Sequence, residues 1–133
     1  MNSLAKEEQH NPQQNSLLAA LPAADFKRIL EDLELVPLAL GQVLYESGEI
    51  MSHAYFPIDC VVSILYVMKN GESAEIAIVG NEGMIGIALF MGGDSTMSRA
   101  IVQNAGFAYR LKAQTLKTEF DSFGALSRQL LMF

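Results

Sequence analysis

The sequence is poor in the residues that build covalent, metal and redox sites. Its 133 residues include one cysteine, Cys60, two histidines, His10 and His53, and no tryptophan. A single cysteine excludes an internal disulfide, an all-cysteine iron–sulfur cluster and any CxxC device, and it fits a reducing compartment. Two histidines far apart match no metal-ligand spacing, so no metal site is expected. Positive charge is also scarce, with nine basic against fifteen acidic residues and a net charge of −6. That balance argues against nucleic acid as a direct partner, because phosphate binding needs clustered Lys and Arg, and against docking on anionic membranes. Long apolar runs are missing too: Cys60 to Met68 is interrupted by Ser63 and Met84 to Met91 by Gly86. Both fall far short of the roughly 20 residues of a membrane helix. Residues 1–15 are polar and carry no apolar signal-peptide core. The expectation is a soluble, cytoplasmic protein.

What is present is one domain's worth of chain, half of it apolar. A domain of this size buries roughly 65–70% of its unfolded surface, enough for a core without disulfides or a structural metal. Residues 1–14, rich in Gln, Asn and Glu, are expected to form a disordered lead-in. Asn15 or Ser16 can cap a short turn through Leu17 and Leu18. Phe26, Ile29, Leu30 and Leu33 then follow Pro22 at helical spacing, which predicts a helix over about 22–33. From Leu35 the period changes to two, and turn signals recur at Gly41, Ser47-Gly48, Pro57, Asn70-Gly71, Gly80-Asn81 and Gly92-Gly93. Some eight short strands at such spacing imply an all-β sandwich or roll. Asn70-Gly71 is the pair that favours a type I′ hairpin, here joining Val61–Val67 to Glu75–Val79, the second with one face expected to be buried. Strands are also expected at Ala100–Gln103 and Phe107–Leu111. After Lys112 the helical period returns with Leu116, Phe120 and Phe123, and a further stretch over 124–133 places Leu126, Leu130 and Phe133 on one face. Free termini are seldom so apolar, and that last turn needs a cover.

Chemistry-bearing patterns are few. Glycines cluster at Gly80, Gly83 and Gly86, ahead of Ile87-Ala88 and a Gly92-Gly93 loop, and Ser98-Arg99-Ala100 follows. Converging backbone amides in such a stretch can cradle an anion, and a guanidinium offers a planar fork that fits phosphate oxygens. The same glycines equally serve as β-turn formers, with Arg99 a solvated strand-end residue. Met84, Ile85, Ile87, Leu89 and Phe90 could line a pocket or close one as core. Neither Ser47 nor Ser63 sits in a nucleophile elbow, and His53 stands alone among the strands, whereas a cupin metal site needs two or three histidines. The carboxylates Glu46, Glu49, Glu72, Glu75 and Glu82 fall near turns and read as a solvated rim. No enzymatic activity is expected.

The runs Leu40–Glu49, Tyr55-Phe56-Pro57, Val62-Ser63-Ile64, Asn70-Gly71 and Val79–Gly86, followed by Arg99–Gln103 and Gly106, resemble the sensor domain of Crp/Fnr-type bacterial transcription regulators. The resemblance covers about residues 15–133, with the roll domain at 15–123 and 124–133 as the start of a truncated dimerisation helix. It implies a cyclic-nucleotide-binding-like double-stranded β-helix, or jelly roll, flanked by N- and C-terminal α-helices. It also implies a homodimer with Phe123, Leu126, Leu130 and Phe133 at its interface, and DNA contact only through an absent helix-turn-helix domain. In members that bind cyclic AMP, a Gly-Glu pair holds the ribose 2′-hydroxyl and an Arg-Ser or Arg-Ala pair holds the cyclic phosphate. Arg99-Ala100 matches the second pair, and Gly83, Gly86, Ile87, Ala88, Ser98, Arg99 and Ala100 become the candidate ligand site. Ile87 and Ala88 stand where the carboxylate is expected, which predicts weak or no cyclic AMP binding, with another small anion as the ligand. The oxygen-sensing branch needs an N-terminal cysteine cluster that residues 1–30 lack. The competing expectation is a stand-alone, ligand-free interaction or dimerisation domain.

Overall fold

A computed structural model describes residues 10–86 and 97–122, the side chains of 120–122 excepted. Three α-helices, α1 (Ser16–Ala19), α2 (Ala23–Leu30) and α3 (Ala113–Ser122), bracket seven strands. The strands are β1 (Glu34–Leu38), β2 (Val43–Tyr45), β3 (His53–Pro57), β4 (Val61–Val67), β5 (Ser73–Val79), β6 (Ser98–Asn104) and β7 (Gly106–Lys112). They form two antiparallel sheets, β1-β7-β3 and β2-β6-β4-β5. Ile85 extends the first sheet by a bridge to Tyr55, each backbone donating to the other at 2.8–2.9 Å. This is a mainly β roll, as the period-two pattern predicts, and its two antiparallel sheets are those of the jelly roll that the family resemblance implies.

Both sheets feed one continuous core. Val62, Ala100, Val102 and Tyr45 come from the four-stranded sheet, and Leu38, Ala54, Phe56, Ala108 and Leu111 from the other. Leu18, Leu21 and Ile29 close one end from the N-terminal helices, and Leu116 of α3 packs in from the C-terminal side. Helix α2 is short because its chain must turn before β1. Leu33 donates back to Ile29 at 3.2 Å, and Pro22, lacking a side-chain cap, marks the start.

Three expectations need correction. The lead-in is not disordered through residue 14: Pro12–Gln14 forms a 3-10 turn closed by a capping box between Asn11 and Gln14. His10 anchors that turn, its Nε2 lying 3.1 Å from Asp59 and its ring 4.5 Å from that of Phe107. The β4–β5 hairpin does not use a type I′ turn, which requires positive φ at two successive residues. No described non-glycine residue has positive φ, and only Gly71, at +88°, is left-handed in this loop. Met68 donates to Glu72 at 2.8 Å and accepts from Gly71 at 3.0 Å, which makes 69–71 a three-residue loop. Finally, β5 buries only Val79; Ile76 and Ile78 are 61% and 52% exposed. The strand lies at a sheet edge, and the register shift opposite Ile64 and Leu65 turns it away from the core.

Candidate functional site

The glycine stretch is built on a pinned turn. Gly83 donates to the Gly80 carbonyl at 3.2 Å, and the Gly80 amide donates to Glu82 Oε1 at 3.1 Å. Asn15, fully buried, fastens that turn to the N-terminal helices. Its Nδ2 donates to the carbonyls of Gly83 at 2.8 Å and Pro57 at 2.9 Å, while its Oδ1 caps α1 by accepting from Leu17 and Leu18. The Ser16 amide adds a bond to the Asn81 carbonyl at 2.7 Å. Beyond the turn, Met84 and Ile85 are core. Gly86 has φ +112°, and a Cβ there would meet Ala54 Cα and Cβ at 3.2 Å. Gly86 thus exists for close packing on β3 and an unusual backbone conformation. Ile87 and Ala88 lie outside the described residues, as do Phe123, Leu126, Leu130 and Phe133.

The second half of the site starts β6. Ala100 is fully buried and faces the core, paired with Ile64 and Tyr45. Ser98 is buried, and its hydroxyl lies 3.3 Å from that of Tyr45, whose phenol burial pushes above its ordinary range. Arg99 does not stand free. Glu46, just past β2, reaches its guanidinium from two directions: Oε1 is 3.1 Å from Nε and Oε2 is 3.2 Å from an Nη. The Nε contact is close but poorly aligned, so this buried N–H has no hydrogen-bond acceptor among the described residues. The pairing of β2 with β6 brings these two side chains together across 53 residues of sequence.

A shallow groove of about 420 Å³ runs between Ile58–Val61 and Gly80–Glu82. Its carboxylates already serve the fold: Asp59 accepts from the Phe107 amide at 2.6 Å and meets His10, and Glu82 closes the Gly80 turn. Cys60 is buried there, and burial, reinforced by the Asp59 carboxylate, pushes its thiol up to about 11. Such a thiol is not a nucleophile at neutral pH. His53, at the start of β3, bonds Ser52 through Nδ1 at 2.9 Å; burial first, and then the Arg110 charge, lowers its pKa. Among the described residues no three His, Cys, Asp or Glu side chains gather as a metal site, and no helix is long and apolar enough to cross a membrane.

A roll of this topology, with a pinned glycine turn after β5 and an arginine opening β6, has a counterpart among known families. Residues 35–123 match the cyclic nucleotide-binding domain. The chain belongs to that family. Among curated proteins no relative matches. Among solved structures, this cyclic nucleotide-binding domain is similar to the sensor domain of the transcriptional regulator DNR from Pseudomonas aeruginosa. The two are 18% identical with a TM-score of 0.73, over 98% of this chain and 88% of that one. The N-terminal domain of a Streptomyces coelicolor A3(2) transcriptional regulator is 22% identical, with a TM-score of 0.66 over 91% of this chain and 85% of that one. The regulatory subunit of a cAMP-independent protein kinase A from Trypanosoma cruzi, bound to guanosine, gives a TM-score of 0.78 at 14% identity. That match spans 98% of this chain and 47% of the subunit.

Of the acidic residues around this region, Glu46 engages Arg99, and Glu82 of the glycine turn has one carboxylate oxygen committed to the Gly80 amide. The sequence singled out Gly83, Gly86 and Arg99, which lie in the pinned turn, against β3 and beside Glu46 respectively, but it did not point to Asn15 as the tie or Glu46 as the partner. Asn15 carried a signal as a helix cap, whereas Glu46 carried none, because strand pairing between β2 and β6 is not written in either segment.

Proposed function

We propose that this domain is the ligand-sensing regulatory part of a Crp/Fnr-like transcription regulator, and that it is not an enzyme. It would act as a homodimer through the segment from Phe123 to Phe133, which carries Leu126 and Leu130. The DNA-binding function would belong to a separate helix-turn-helix domain. The observation that carries the reading is Arg99 at the head of β6, beside buried Ser98, in a roll of the cyclic nucleotide-binding family. The degenerate cassette, with Ile87 and Ala88 in place of a carboxylate, supports weak or absent cyclic AMP binding and a different small anion as effector. Losing a charge-assisted hydrogen bond to the ribose leaves a desolvated hydroxyl uncompensated. Effector binding at Gly83, Gly86, Ile87, Ala88, Ser98, Arg99 and Ala100 would bias two packings of the roll on the dimer helix.

A thermal-shift panel of cyclic nucleotides, guanosine and inorganic anions tests the reading. A specific ligand stabilises by about 2.7 kcal/mol at a hundredfold excess over its Kd. The expected result is a shift with at least one anion, lost in Arg99→Ala. The second reading, a ligand-free interaction or dimerisation domain, draws support from Arg99 being already paired with Glu46. No shift with any compound in either protein favours that reading.

A further inference from the structure

We propose that Glu46 determines which anions the Arg99 site accepts, by occupying the guanidinium as an internal stand-in that a ligand must displace. This rests on the reading of Arg99 as the anion contact. The Glu46 carboxylate lies against the guanidinium as a ligand phosphate or carboxylate would, with two oxygens 3.1 and 3.2 Å from two nitrogens. Its backbone is held while its side chain is left to swing. The Glu46 amide donates to Glu49 Oε2 at 3.0 Å, and the Glu49 amide donates to the Glu46 carbonyl at 3.0 Å. The side chain itself is about half exposed, at 52%, so releasing it into water carries little desolvation penalty.

The pair is also imperfect. Arg99 Nε–H is buried and has no aligned acceptor among the described residues. A buried donor left unsatisfied is a standing loss that an incoming oxygen in line with Nε removes. Displacement therefore exchanges a poorly aligned internal contact for an aligned one, provided the ligand brings its own acceptor. Charge sets the discrimination. Arg99 is faced by the Glu46 carboxylate, which stays tethered beside the site after it is displaced. Coulomb repulsion from this carboxylate bears more heavily on a doubly charged anion than on a singly charged one. The site is thereby tuned toward monoanions, such as a phosphodiester, and away from phosphate dianions.

Calorimetric titration of cyclic AMP and of inorganic phosphate, at constant ionic strength, tests this on the wild-type chain, Glu46→Gln, Glu46→Ala, Arg99→Ala and the Glu46→Gln/Arg99→Ala pair. Removing the competing charge is expected to tighten binding roughly two- to fivefold, the range for a half-exposed ion pair, and more for phosphate than for cyclic AMP. The gain must vanish when Arg99 is alanine. Glu46→Ala, which cannot bond the guanidinium, should match or exceed Glu46→Gln. Equal affinities in wild type and both Glu46 variants, alongside weaker binding by Arg99→Ala, overturn the role of Glu46 while leaving the anion site intact. Binding unaffected by Arg99→Ala, or no binding by any variant, overturns both.

Discussion

At the scale of single residues, the fold depends most visibly on Asn15, which satisfies two buried carbonyls and two helix amides with one side chain. Asn15→Ala removes a helix cap and leaves the Gly83 and Pro57 carbonyls without their donor, a loss of about 2–4 kcal/mol. Urea denaturation measures it, and Asn15→Asp, which keeps the cap but turns a buried carboxylate oxygen toward those two carbonyls, should lose at least as much. Gly86→Ala must force a side chain into positive φ against Ala54 and should destabilise by roughly 1–3 kcal/mol, read as a lowered melting temperature. Cys60 gives a pH signature. Its folded thiol titrates near 11, above the ordinary 9.0, so the folded state favours the neutral form. That contribution is complete below about pH 9 and fades as pH rises through about 11. A thiol reagent at pH 7 should therefore label Cys60 only as fast as the protein opens. Labelling of the native protein at the rate of a free thiol would refute the burial argument. Cys60 as a buried small hydrophobe and Arg99 as a cation at a strand start were both legible in the sequence. Glu46 read as one more solvated carboxylate, because its partner lies 53 residues away.

At the scale of elements, the hairpin of β4 and β5 was legible from Asn70-Gly71, but which of its faces is covered was not. Alternation tells that one face of a strand is apolar; only strand order tells whether a second layer reaches it. Here β5 falls at the edge of β2-β6-β4-β5, and Ile76 and Ile78 remain exposed. Substituting both with threonine should change stability by no more than about 0.5 kcal/mol. Leu111→Ala, fully buried in β7, should lose about 2–5 kcal/mol in the same denaturation experiment. Comparable losses from the two variants would mean that β5 is covered after all. The N-terminal turn at Pro12–Gln14 was hidden for a similar reason: its polar composition signals disorder, while its anchors, Asp59 and Phe107, come from the β3–β4 connection and β7.

At the scale of the molecule, a net charge of −6 accompanies a roll of the cyclic nucleotide-binding family. If the proposed homodimer forms through the segment that begins at Phe123, sedimentation at micromolar concentration should show a dimer. Leu126→Asp/Leu130→Asp should convert it to a monomer with an unchanged melting transition of the roll. A dimer that survives both charges would move the interface elsewhere, with the exposed edge at Ile76 and Ile78 the first surface to test. Period and turn spacing made an all-β roll readable at this scale, and the family resemblance its jelly-roll form, whereas the pairing of Glu46 with Arg99 was not legible, since it depends on side chains meeting across strands.

An anion that reaches Arg99 by displacing Glu46 must change the surroundings of the Arg99 Nε–H, whose NMR signal reports the exchange. On titration with inorganic phosphate, that resonance should shift saturably as an aligned acceptor arrives, with cyclic AMP producing the same shift only at high concentration. In Glu46→Gln the same shift should come at lower ligand concentration. A resonance that stays fixed while signals elsewhere in the protein move with saturation would contradict the displacement of Glu46.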